Sequence, residues 1–304
     1  MRIVSLLPSA TEIVDVLGLG EHLVGISHCC DYPGQLMDRP VVTKSVVDST
    51  QSSSATIDEV VRDHLEQSTA LYALDTDLLD SLNPDLIVTQ ALCDVCAVNG
   101  EDVENCVASI GSAPGIVNLE PFSLADVIQT VRQIGEAAGV GKVGAARARE
   151  LAARVDAVRD RSEKVARRPR VAVIDWVAPP FAAGHWMDDL IVAAGGENAL
   201  PLGHAPSRTI EWSEVTAAKP DVVIIACCGF DLSRSHDEIR ASGAAAELDG
   251  MKAAGIAVHV CDGNGYFSRP GPRLVDSLEM LAWILHPDVH DKPDSLAGNY
   301  AAYT

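Results

Sequence analysis

The sequence predicts an α/β protein of two Rossmann-like lobes with parallel sheets, joined by one long α-helix. Three observations predict it. Short apolar runs alternate with helix-period segments in both halves of the chain, the pattern of strand–helix–strand units. A nearly unbroken helical stretch over 123–169 separates an N-terminal lobe, 1–122, from a C-terminal lobe, 170–304. Five apolar runs end at once in clusters of cysteine, histidine, aspartate or aromatic residues, and ligands of open parallel sheets sit beyond the carboxyl ends of strands.

In the first lobe, Ile3 to Leu7 reads as a strand stopped by Pro8. Ser9 and Glu12 have the spacing of a capping box for the helix that follows, which Gly18 and Gly20 end. Strands are expected near Leu23–Ser27, Val41–Val42, Asp85–Thr89 and Gly115–Leu119, and an amphipathic helix between Ile57 and Leu74. The motif Gly139-Val-Gly-Lys-Val-Gly144 has the glycine spacing of a dinucleotide fingerprint but follows a helix, so it reads as a helix end and restart. From Gly144 to Ala166 a helix would run about 35 Å at 1.5 Å per residue and stop at Pro169. The second lobe should place strands at Arg170–Ile174, Asp221–Ala226 and Ile256–Val260. Its helices fall near Met187–Ala194, Ser213–Ala218, Ser235–Leu248 and Arg273–Leu285, with an irregular tail after Pro287.

Composition narrows the function. With 304 residues, 47% hydrophobic and only 4% aromatic, the chain can form two ordinary cores rich in Ala, Val and Leu. A net charge of −20, from 43 acidic against 23 basic residues, argues against nucleic acid, whose phosphates need clustered Lys and Arg. No apolar run is long enough to span a bilayer. The opening segment lacks the pattern of a secretory leader, so a cytoplasmic protein is expected, or a periplasmic or extracellular one if a native leader has been removed. Eight cysteines include the vicinal pairs Cys29-Cys30 and Cys227-Cys228; vicinal disulfides are strained, which favours free thiols.

The candidate site residues all follow strands. Cys93-x-x-Cys96 suits either a shared metal or a dithiol couple, or else is two small buried side chains at a turn. Cys30, Cys228 and His28 could complete a soft coordination sphere with them, for zinc or an iron–sulfur cluster. His185, between Gly184 and Trp186, could ligate a metal centre or simply brace its loop. Trp176, Trp186 and Tyr266 offer flat faces to a planar ligand, with core packing as the alternative. Arg269 and Arg273 flank Pro270-Gly-Pro272 at a helix start and could hold an anion, or could pair with Asp262 or Asp31. Asp31 and Asp262 are themselves candidate ligand contacts. Hydrolase and phosphate-loop motifs are missing, so nothing specifies a reaction.

Ser5-Leu-Leu-Pro-Ser-Ala-Thr-Glu12 with Leu17-Gly18, Asn83-Pro-Asp-Leu-Ile-Val88 and its echo Lys219-Pro-Asp-Val-Val-Ile224 resemble the landmarks of a known family. That family is the iron-siderophore and cobalamin substrate-binding proteins of ABC importers. Ser27-His-Cys-Cys-Asp-Tyr-Pro33, Gly184-His-Trp186 and Asp262 to Arg273 are similar to a leaderless branch described as cobalamin-binding. The resemblance implies class III substrate-binding-protein architecture, with a corrinoid such as cobalamin or another metal chelate as the small-molecule ligand between the lobes. The missing leader argues against an ABC permease as partner, and the segment Val46–Asp75 is longer than the family's pattern implies. Two other readings stay open: a cytosolic zinc or iron–sulfur protein, which could be an enzyme, and a thiol-redox protein centred on Cys93 and Cys96.

Overall fold

The computed structural model describes residues 1–45, 52–67, 71–90 and 100–304. In chain order the first half holds β1 (Ile3–Ser5), α1 (Pro8–Val16), β2 (Leu23–Ile26), β3 (Thr43–Ser45), α2 (Ser54–Glu66), β4 (Tyr72–Leu74), α3 (Thr76–Leu82), β5 (Leu86–Gln90), α4 (Gly100–Ser109) and β6 (Gly115–Leu119). Helices α5 (Leu124–Ala137) and α6 (Gly141–Ser162) follow. The second half holds β7 (Arg170–Val177), β8 (Pro180–Ala182), α7 (Met187–Ala193), β9 (Glu197–Asn198), β10 (Arg208–Thr209), α8 (Trp212–Ala217), β11 (Val222–Ile225), α9 (Leu232–Ala241), α10 (Ala244–Ala253), β12 (Ala257–Cys261), α11 (Leu274–Leu285) and β13 (Tyr300–Ala302).

The first sheet is four-stranded and wholly parallel, in the order β2-β1-β5-β6. The second is seven-stranded, in the order β10-β8-β7-β11-β12-β13, with β9 also on β7. Its centre, β7-β11-β12, is parallel, while β8 joins β7 antiparallel, β10 joins β8 antiparallel and β13 joins β12 antiparallel. Period-two alternation assigns each strand's two faces. Ile3, Leu86, Val171, Val173, Val222 and Ile224 enter one core, continuous through both lobes along α1, α5, α6, α7 and α11. Val4 and Ile87 face a smaller cluster outside the first sheet, and Ala172, Ile174, Val223 and Ile225 one outside the second. The lobes therefore share a core rather than hanging on a single connector.

Helix α6 has 22 residues, about 33 Å at 1.5 Å per residue. The break before it is the expected helix end, but Gly144 has a packing role as well. A Cβ on Gly135 would lie 2.9 Å from the Gly144 Cα, so these glycines let α5 and α6 touch backbone to backbone. At α5, Ser123 and Asp126 form a reciprocal capping box.

Several expectations are corrected. The box expected at Ser9 and Glu12 does not form. Pro8 occupies the first turn, Leu7 is the N-cap without a side-chain bond, and Glu12 turns to the other lobe. The helix expected from Ile57 to Leu74 ends at Glu66, and Tyr72–Leu74 pairs instead as β4 with β3. The helix expected over Ser235–Leu248 is two helices, because Gly243 takes a left-handed conformation (φ 80°) between them. The tail is not wholly irregular, since β13 covers the open edge of β12. No described helix is long and apolar enough to cross a membrane.

Gly135→Ala should lose about 1–3 kcal/mol from overpacking, outweighing a helix-propensity gain of at most about 1 kcal/mol. Gly250→Ala in α10, where a Cβ meets nothing within 4 Å, should gain about 0.5–1 kcal/mol. Urea unfolding midpoints of the two variants should therefore move in opposite directions.

Candidate functional site

Hydrogen bonds bring the segments after β1 and β2 against the segment after β12, so the carboxyl ends of the two sheets approach one another across the space between the lobes. Asn264 and Arg269, after β12, bond Asp31, after β2, which places the two sets of strand ends near one another. Around Cys29 the side chains form a tight cluster. The Thr43 hydroxyl accepts from the His28 backbone N–H at 2.9 Å and lies 2.6 Å from His28 Nδ1. His28 Nε2 sits 3.1 Å from Cys29 Sγ, and its ring is 5.2 Å from that of Tyr72. Cys30 Sγ points the other way, 3.1 Å from Thr11 Oγ1. Burial raises both thiols, Cys29 up to about 11, so they are protonated at neutral pH. Cys29, Cys30, Cys106, Cys227 and Cys261 are free thiols.

The expected metal set is not assembled within the described residues. His28 and Cys30 are engaged with Thr43 and Thr11, and no group of three or more His, Cys, Asp or Glu poised for a metal occurs among the described residues. Cys93 and Cys96 lie outside the described residues.

Beside this cluster the lobes are joined by a compact ionic network. Arg273 grips the Glu12 carboxylate with both Nε and Nη2, at 3.0 and 2.7 Å. Arg269 grips Asp31 in the same bidentate way, at 2.5 and 2.7 Å, and its Nη1 lies 3.7 Å from Glu12. Asn264 locks the pair, donating to Asp31 and accepting from Arg269. The Arg273 guanidinium is sandwiched between Tyr32 and Tyr266, 4.2 and 5.4 Å from the ring centroids. Glu12 is 2% exposed, and its burial raises the carboxyl even against the two arginines. Burial also pushes Asp31 upward, but Arg269 outweighs it and holds that carboxyl below the usual range.

Arg269 and Arg273 are thus saturated by protein carboxylates, which is the pairing alternative and not a site waiting for an anionic ligand. Asp31 is the partner of Arg269. Asp262 instead caps the turn after β12, accepting from Gly265 N–H at 2.7 Å. Glu12 was the residue that sequence reasoning missed. Glu12 lies across α1 from Ala10 and Val14, so no apolar face singled it out; α1 is buried all round from Ser9 to Val14, where an acid is stable only if paired.

The tryptophans are also turned inward. Trp176 is 8% exposed, packs on Phe230 at 4.9 Å and donates to the Ser54 carbonyl. Trp186 is 5% exposed and donates to the Phe267 carbonyl. Each indole N–H needs a buried acceptor and each ring fills core, so neither face is presented to the cleft. The Tyr266 hydroxyl accepts from Asn299. The large aromatics left exposed after first-sheet strands are Tyr32, following β2, and Phe122, following β6.

His185 and Asp175 are among the buried groups that keep unused hydrogen-bonding capacity, which include Ser9, Thr89 and Gln90. His185 adopts a left-handed backbone (φ 52°), held by its N–H to the Ala205 carbonyl at 2.7 Å. A non-glycine residue there costs conformational energy, which marks functional positions. Its ring stacks on Trp186 and lies 6.1 Å from Phe122, and its Nε2 is buried without a partner. Burial lowers its pKa, so the imidazole is neutral. Asp175, at the end of β7, accepts from Ser207 at 2.5 Å through Oδ2, while Oδ1 has no partner. Burial pushes its carboxyl up to about 6.

Arg273→Ala should strand the buried Glu12 and cost about 3–5 kcal/mol in urea unfolding, most of it recovered in Glu12→Gln/Arg273→Gln. For Asp175 the folded pKa is raised from 3.8 to about 6, so its contribution is intact below 3.8 and lost as pH rises through 6. Asp175→Asn should accordingly gain about 1–3 kcal/mol of stability at pH 8 and almost nothing at pH 4. Paired unfolding curves at the two pH values check this.

Comparison with known proteins agrees with this architecture. A family model described as periplasmic binding protein matches residues 3–257. An uncharacterized ABC transporter substrate-binding lipoprotein of Bacillus subtilis is 22% identical over 94% of this chain and 80% of its own. The periplasmic vitamin B12 binding protein BtuF of Vibrio cholerae superposes with a TM-score of 0.66 at 20% identity, covering 94% of this chain and 96% of that one. A periplasmic heme binding protein from Pseudomonas aeruginosa superposes at 0.72 with 18% identity, over 100% of this chain and 99% of that one. Two lobes sharing a core, strand ends approaching one another across the space between them and a family match over most of the length lead to one conclusion: the chain belongs to the periplasmic binding protein family.

Proposed function

We propose that the protein binds a planar metal chelate, a corrinoid of the cobalamin type, in the cleft between its lobes and serves as the binding component of an importer. The observation that carries the reading is the approach of the strand ends of the two sheets across the space between the lobes, next to a neutral histidine whose Nε2 has no protein partner. An imidazole nitrogen with a free lone pair suits cobalt or iron. Phe122 and the face of Tyr32 left open by Arg273, following strands at opposite edges of the first sheet, are the rings available to a flat ligand. Relatives named as binding vitamin B12 or heme support a planar chelate. Those named as lipoprotein or periplasmic support a place outside the cytoplasmic membrane over the cytoplasm expected from the sequence. The zinc and iron–sulfur alternatives gain no support from the described residues, among which no group of three or more His, Cys, Asp or Glu is poised for a metal.

Aquocobalamin and haemin titrations followed by visible absorption test the reading. The expected result is stoichiometric uptake of aquocobalamin with a band shift that signals imidazole coordination. His185→Ala should remove the shift and weaken binding about tenfold, or about 1.4 kcal/mol. Uptake of neither chelate would contradict the proposal, and uptake of haemin alone would move it to the porphyrin class.

A further inference from the structure

The stretch between β3 and β4 departs from the expected family length, and the structure shows where it lands. The strands that bracket it place Thr43 and Tyr72 in contact with His28. Between them, the start of α2 is seated on the second lobe. Ser54 is fully buried, and its backbone N–H and hydroxyl both donate to Glu238 Oε1 of α9, at 2.9 and 2.6 Å. Its carbonyl accepts from the Trp176 indole at 3.3 Å. Arg234, itself 4.0 Å above the Phe230 ring, donates to the Ser52 carbonyl at 2.8 Å, and Ile57 packs into the second lobe's outer core.

Ser53 caps α2 in the ordinary local way, accepting from Thr56 N–H. The first-turn amide of Ser54 would normally be left to water. Here a carboxylate 184 residues away takes it, where the helix dipole also favours negative charge. This second connection between lobes is unlike the ionic one. It is made of hydrogen bonds and apolar packing, it belongs to a two-stranded β3-β4 ribbon rather than a main sheet, and most of α2 beyond its start is exposed or half-buried. Low contact density of this kind belongs to the parts of a structure that open first.

We propose that Ser52–Ile57 is a latch over the cleft, and that its release from Glu238, Trp176 and Arg234 gates passage of the ligand while the ionic network keeps the lobes fixed. The gating role rests on the cleft being the ligand site; the latch itself does not. Ligand affinity is then set by the cleft and exchange rate by the latch.

Two variants and two readouts test this. Glu238→Ala removes the acceptor, and Ser54→Pro removes both donors while keeping a residue suited to the first helical position. Hydrogen exchange is followed in the peptide covering residues 52–60, with α11 as the folded reference, and aquocobalamin association and dissociation are followed by stopped flow. Both variants should exchange tenfold or more faster over 52–60 with α11 unchanged. Both rate constants should rise at least tenfold, leaving Kd within about threefold. Wild-type exchange over 52–60 as fast as in an unfolded chain, or no acceleration in either variant, would overturn the latch. Accelerated exchange with unchanged ligand rates would overturn the gating. Should wild type take up no aquocobalamin, the function reading fails and the exchange data still decide the latch.

Discussion

The contact on which the rest of the structure depends is the cross-lobe pairing of Glu12 and Asp31 with Arg273 and Arg269. A carboxylate 2% exposed on α1 would cost several kcal/mol alone, and the bidentate guanidinium of Arg273 offsets that cost only while the lobes keep their relation. Asp31 and Asn264 extend the same demand to the loops after β2 and β12, which also line the cleft. With α5 and α6 packed glycine to glycine and one core running through both lobes, the pairing leaves little freedom for hinge motion. A cleft held this way is preformed, so a ligand entering it does not have to order the protein.

The chemistry available in that cleft is neutral rather than ionic. Its arginines are consumed in holding the lobes, its described thiols at Cys29 and Cys30 are protonated, and its histidines His28 and His185 are neutral at physiological pH. Such a surface favours a large, partly apolar ligand with a metal or polar edge over a small anion. Two unequal connections flank it: one of paired opposite charges that sets geometry and one of hydrogen bonds to a single carboxylate, at Ser54 and Glu238, that can let go.

Much of the fold was legible because it is written in short-range pattern. The apolar runs of β5, β7 and β11 and the helical periods of α5, α6, α7 and α11 stand where periodicity put them, because these strands are buried on both faces and each helix on one; β6 keeps its place as a largely exposed edge strand. What escaped depended on partners far along the chain. Tyr300–Ala302 becomes a strand only because β12 offers an edge, and Tyr72–Leu74 only because β3 does. The site was legible as a location, since reactive residues did gather after strands, but not as a set of roles. Trp176 and Trp186 look like ligand platforms until the acceptors for their N–H groups, Ser54 and Phe267, are known. Arg269 and Arg273 look like an anion site until Glu12 and Asp31 appear across the cleft. Left-handed backbone at His185 has no one-residue signature, because a crowded loop against Ala205 imposes it.

The central claim is that the lobes are fixed to one another around a preformed cleft. Distance distributions between spin labels on non-natural residues at Glu104 in α4 and Glu247 in α10, with and without aquocobalamin, test it most directly. The account predicts one narrow distribution that ligand does not move. A broad distribution in the free protein, or a shift of several ångströms on adding ligand, would contradict it.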